Sequence, residues 1–84
     1  MKFRIHLQIV PRKGLLDPQG KAVADALHAL AFPQVEDVRI GRHLVIDLAA
    51  SDAFDAEKQV REMCVKLLAN PVTEDYALVG VEAL

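Results

Sequence analysis

No tryptophan and only four aromatic residues, Phe3, Phe32, Phe54 and Tyr76, stand in the 84-residue sequence. The core therefore has to be built from Val, Leu, Ile and Ala. A single cysteine, Cys64, excludes an intramolecular disulfide framework and agrees with a reducing compartment. No excess of either charge exists: ten Lys and Arg against twelve Asp and Glu give a net charge of −2 and a pI near 5.8. That balance removes the general attraction on which nucleic-acid binding depends. No apolar run approaches the ~18 residues of a membrane span. The opening MKFRIHLQIVPRK breaks its apolar residues with Arg4, His6 and Gln8, unlike a signal peptide. The expected location is cytoplasmic, with no membrane partner.

What is present is a high apolar content, 52% of the chain, in a length that makes one domain over residues 1–84. A chain this short buries only about 60–65% of its extended surface, and the surplus of apolar side chains points to self-association or docking. Residues 2–9 alternate, with Phe3, Ile5, Leu7 and Ile9 on one side and Lys2, Arg4, His6 and Gln8 on the other, the period of a half-buried strand. Val23, Leu27 and Leu30 recur at helical spacing from Pro18 to about Ala31. Asp17 is placed to cap this helix, and Pro18 suits its first turn, where an amide is not needed.

Val35–Ile40 and His43–Ala49 read as two strands joined at Gly41-Arg42, a pair suited to a type II′ hairpin. A second helix spans Ala53 to Ala69 on the stripe Val60, Met63, Cys64, Leu67 and Leu68. Asn70 is expected to take the left-handed residue after it, and Pro71 forbids continuation. Glu74–Val81 is the last strand. It is apolar on both sides, Tyr76 and Leu78 against Ala77, Val79 and Val81, so that strand or the open sheet face is expected to be covered in a dimer. The order βαββαβ predicts an α+β, ferredoxin-like antiparallel sheet with both helices on one face.

That topology gathers the unusual residues at one rim: Arg12, Lys13, Asp17, Pro18, Gly20, Lys21, Arg39, Arg42, His43, Asn70 and Pro71, with Glu74 and Asp75. The stretch GLLDPQGKAV within it is not a phosphate-binding P-loop, because five residues rather than four separate Gly14 from Gly20 and Ala22 replaces the magnesium-binding hydroxyl. No catalytic set is complete. Cys64 lies in an apolar stripe rather than beside a base, and His6, His28 and His43 fall on three elements without metal-ligand spacing. The rim basics beside a helix N-terminus leave two readings, a docking surface or an anion-binding regulatory module that would take a nucleotide.

Three separated motifs, GLLDPQGKAV at 14–23, VEDVRIGRH at 35–43 and EMCVKLLANPVTEDY at 62–76, resemble the PurS family, the small subunit of phosphoribosylformylglycinamidine synthase. The resemblance covers almost the whole chain and departs at Pro33, in the turn after Phe32. It implies a non-catalytic assembly subunit of purine biosynthesis, with no catalytic, cofactor or metal residues of its own. A PurL-type synthetase subunit would use ATP and magnesium, and a PurQ-type glutaminase would release ammonia. The small subunit would join them as a homodimer or tetramer, docking through the rim.

Overall fold

A computed structural model describes residues 1–15 and 17–84; Leu16, the first residue of the Leu-Asp-Pro motif, lies outside the described residues. The elements are β1 (Lys2–Pro11), α1 (Pro18–Ala29), β2 (Arg42–Ala49), α2 (Ala53–Met63), a π-helical turn (Cys64–Leu68) and β3 (Glu74–Ala83). The three strands form one antiparallel sheet in the order β2-β1-β3. The expected α+β class with an antiparallel sheet and two helices is present. The alternation of β1 explains its central place: Phe3, Ile5, Leu7 and Ile9 are all buried on one face.

On that face α2 supplies Ala56 and Val60 and the π turn supplies Cys64, spaced four residues apart and fully buried, so one continuous ridge sits on the sheet. The start of α2 is fixed by reciprocal caps. Asp52 accepts the amide of Asp55 at 2.7 Å, and the Asp55 carboxylate accepts the amide of Ser51 at 3.0 Å, which holds the Asp55 carboxyl below its ordinary value. Beyond Met63 the helix widens into the π turn. Asn70 is not left-handed as its place after the helix suggested, since among the described residues other than glycine only Ala31 has positive φ. Ala69 leaves the helix in an extended conformation, and the Asn70 side chain accepts the amide of Val72 at 3.0 Å.

The last strand resolves its two-sided apolar pattern with a bulge. His6 pairs with Gly80 and Leu7 with Leu78, leaving Val79 as the extra residue. The bulge shifts the alternation by one, so Leu78 and Val81 oppose Leu7 and Ile5 respectively. Both turn to the apolar face. The opposite face is polar: the Arg4 guanidinium donates to both oxygens of Asp47 at 2.8 and 3.1 Å, and His6 Nε2 lies 2.7 Å from Glu82.

Residues 35–40 follow the course of the expected second strand but carry no ladder. The reason lies at Gly41. A type II′ turn requires positive φ there, and among the described glycines only Gly14 has it. The chain instead passes close against the end of β1, where a Cβ on Gly41 would collide with the carbonyl of Ile9 and the side chain of Val10. Helix α1 consequently does not lie beside α2 on the sheet. It forms, with 35–40, an arm at the end of the molecule, packed only marginally on the other elements. The molecule measures 50 × 25 × 14 Å with a radius of gyration of 16.1 Å, against about 12 Å for a compact chain of this length.

Cys64 is fully buried, and burial pushes its thiol up. Cys64→Ala is expected to cost about 1–2 kcal/mol, from one lost buried atom and the small void it leaves. Chemical denaturation checks the loss, and thiol labelling of the native protein should proceed only at the rate of unfolding.

Candidate functional site

The residues expected at one rim separate into two built clusters and two outliers. The first cluster closes the end of the sheet. Arg12 donates from its backbone amide to the carbonyl of Thr73 at 2.8 Å and from its guanidinium to the carbonyl of Pro71 at 2.6 Å. The same guanidinium lies 3.2 Å from Asp75. Arg42 donates to the carbonyl of Leu68 at 3.0 Å and to both oxygens of Glu74 at 3.0 and 3.1 Å. Glu74 in turn accepts the amide of Asn70 at 2.8 Å. The turn between the π helix and β3 is thus tied down by two arginines, Arg12 just past β1 and Arg42 at the start of β2, and Arg42 satisfies the Leu68 carbonyl that the helix end leaves open.

The second cluster is the base of the arm. Asp17 Oδ1 accepts the amide of Gly20 at 3.0 Å, which caps α1, while Oδ2 accepts the amide of Ile40 at 2.9 Å. One carboxylate therefore both starts the helix and fastens the returning segment to it. Gly20 is required at this point, because a Cβ would overlap the carbonyl of Val38 and the Asp17 side chain. Further along the arm, His28 Nε2 lies 2.7 Å from the carbonyl of Val35. The far end of α1 closes with Phe32 donating to the carbonyl of Leu27 at 3.0 Å and Ala31 to that of His28 at 3.2 Å. Ala31 takes the left-handed conformation, φ 72°, in which this type of helix end usually places glycine.

Arg39 joins the arm to the sheet, donating to the carbonyl of Pro11 at 3.3 Å with Asp37 at 3.5 Å. Lys21 pairs with Asp25 at 2.9 Å one turn along the helix. The outliers are Lys13, exposed in the turn that Gly14 makes at φ 86°, and His43, which faces the polar side of the sheet with its ring 5.8 Å from that of His6. The rim arginines thus meet internal carbonyls and carboxylates, the chemistry of a braced surface. Among the described residues no group of three His, Cys, Asp or Glu side chains is placed to hold a metal.

Comparison with known proteins converges on this chain's motifs. The pattern described as PurS, phosphoribosylformylglycinamidine (FGAM) synthase, matches residues 4–82. The chain belongs to the PurS family. It is 43% identical over 74 residues to the phosphoribosylformylglycinamidine synthase subunit PurS of Bacillus subtilis, covering 88% of this chain and 87% of that protein. The solved Thermus thermophilus PurS structure is 43% identical, with a TM-score of 0.84, and the match covers 100% of this chain and 99% of that one. A chain in the structure of PurLQS from Thermotoga maritima matches at 26% identity with a TM-score of 0.80, covering 100% and 99%. The arm-and-sheet shape is therefore that of the family.

Sequence reasoning missed the second bond of Asp17 and the structural role of Glu74. It also missed an apolar lane beside α2, formed by Leu44, Ile46, Met63, Leu67 and Leu68. The lane was detectable only as apolar residues in excess of one helix stripe.

The bonds from Gly20, then Ile40, hold the Asp17 carboxyl below the usual carboxylate range. A depressed carboxyl contributes stability that is present above its unfolded value, about 4, and disappears as pH falls through the lower folded value. The amide resonances of Gly20 and Ile40 should therefore shift together in one acid titration with a midpoint below about 4. Asp17→Ala should remove the titration and raise amide exchange at both positions while β1 exchange is unchanged.

Proposed function

We propose that this chain is the small, non-catalytic assembly subunit of phosphoribosylformylglycinamidine synthase in purine biosynthesis, acting in the cytoplasm. The observation that carries the reading is similarity along nearly the full chain, at 43% identity, to proteins named as that subunit. The likeness to a chain of PurLQS supports an assembly in which this subunit joins a PurL-type synthetase to a PurQ-type glutaminase. ATP and magnesium belong to the synthetase in this scheme, and the chain holds no cofactor. Among the described residues no helix is long and apolar enough to cross a membrane.

The physical design suits a brace between larger subunits. Its one thiol is buried, and Arg12 and Arg42 brace the turn before β3. What the rim offers outward is the exposed part of a stiffened surface, with Lys13 and Lys21 at the foot of the arm. A bridge of this kind acts by holding two active sites in one complex, so that ammonia released at one is used at the other. Its contribution is effective concentration rather than chemistry.

Reconstitution from the three purified subunits tests this. Omitting the chain should abolish glutamine-dependent amidine formation while ammonia-dependent formation by the synthetase continues. The variant Lys13→Glu/Lys21→Glu should retain its circular dichroism yet lower the glutamine-dependent rate by about tenfold or more, the loss expected when about 1.4 kcal/mol of docking energy is removed. Undiminished glutamine-dependent turnover without the chain would contradict the assignment.

A further inference from the structure

Two histidines that take no part in the braced rim, His6 and His43, meet on the polar face of the sheet. His43 stands opposite Gln8, two residues along β1 from His6, so the pair lies on a cross-strand diagonal that long side chains can span. Their ring centroids are 5.8 Å apart and the rings are tilted by 38°. Two imidazoles bound to one tetrahedral ion through bonds of about 2.0–2.1 Å have centroids about 5 Å apart. A small side-chain rotation reaches that separation.

The His6 ring is held in place from β3. Its Nε2 lies 2.7 Å from Glu82. Its Cδ2 rests against Gly80, the residue opposite it, where an added Cβ would come within 3.1 Å. Glycine thus leaves the room that the imidazole occupies. Both contacts are made by the Cδ2–Nε2 edge and both lie on β3, so the opposite edge, which carries Nδ1, is turned toward β2 and His43. The carboxylate also settles the tautomer of the neutral ring: Nε2 carries the proton that Glu82 accepts, and Nδ1 keeps the lone pair that a metal requires. His43 is exposed and free to rotate onto an ion that His6 holds.

The surrounding charge suits a cation. Arg4 donates to both oxygens of Asp47, which matches its charge, and Glu82 remains to balance a bound ion. The core and α2 lie on the other face, so this face admits an ion together with its waters. Among the described residues no third His, Cys, Asp or Glu is placed to join the two histidines. Water would fill the remaining positions, giving an open, exchangeable site rather than a closed structural one. Imidazole ligands select zinc, copper or nickel over magnesium and calcium.

We propose that His6, through Nδ1, and His43 bind a divalent transition-metal ion such as zinc between β1 and β2, with Glu82 as the residue that positions His6. The ion acts as a clip between the two strands on the face opposite α2. It lies outside the synthase chemistry, and the other subunits are not needed to detect it.

Isothermal titration calorimetry of the untagged full chain with zinc chloride at micromolar concentration should show one ion bound per chain. His43→Gln changes an exposed residue and should fold as the wild type does by circular dichroism. Its affinity should fall by about a hundredfold or more, beyond the loss of an outer partner. His28→Gln, on the arm, should leave binding unchanged. Glu82→Leu should weaken binding by about tenfold or more, and Glu82→Gln, which keeps an acceptor for the Nε2 proton, should recover part of that loss. Long-range proton–nitrogen spectra of the imidazoles should place the proton of neutral His6 on Nε2, with zinc shifting Nδ1. A chain that binds no zinc would overturn the proposal, as would full affinity in His43→Gln, an affinity indifferent to Glu82→Leu, or zinc held by Nε2 of His6.

Discussion

One helix covers two strands of a three-stranded apolar face, and most of the molecule's shape derives from that mismatch. Ala56, Val60 and Cys64 seat α2 against Phe3, Ile5, Leu7 and Ile9, giving a core that is aliphatic and one ridge wide. A core of this size is marginal for a chain of 84 residues, and the structure contains no compensating disulfide. Stability has to be supplemented by tying the ends of elements together. Arg12, Arg42 and Glu74 do so at one end of the sheet, and Asp17 does so at the base of the arm.

These ties make the arm stiff as well as separate. A helix held only by its chain connections would sample many orientations, and docking it would cost the entropy of fixing it. Asp17, with one oxygen on Gly20 and the other on Ile40, fixes α1 to the returning segment 35–40 before any partner arrives. Pre-organisation of this kind makes an exposed apolar stripe usable as a specific contact. It also gives a physical account of why an aspartate followed by proline stands here: the acid has two backbone donors to satisfy, and the proline opens the helix where its missing amide is not needed.

The local structure was legible wherever periodicity and caps agreed. Alternation over residues 2–9, the Asp17-Pro18 helix start and the buried position of Cys64 all derive from residue type and spacing. The motifs at 14–23, 35–43 and 62–76 likewise identify the PurS family, which the full-length matches bear out. What could not be read was long-range. Gly41 invited a hairpin because glycine permits positive φ, whereas it is required there by its contact with β1. The bulge at Val79 was invisible because a one-residue shift leaves the apolar count of β3 unchanged while exchanging its faces. The rim was legible as a collection of residues but not as an arrangement. Whether Arg42 faces solvent or the Leu68 carbonyl depends on where the π turn ends, and no local signal records that.

The central claim is that ties at the ends of elements, and not a shared core, fix the arm to the sheet, with Asp17 at their centre. It is tested most directly by residual dipolar couplings of α1 and of residues 38–40, measured in the wild-type chain and in Asp17→Ala. One common alignment for the two segments in the wild type, with the α1 couplings averaged toward zero in the variant, is the predicted result. Couplings that are unchanged in the variant would contradict it.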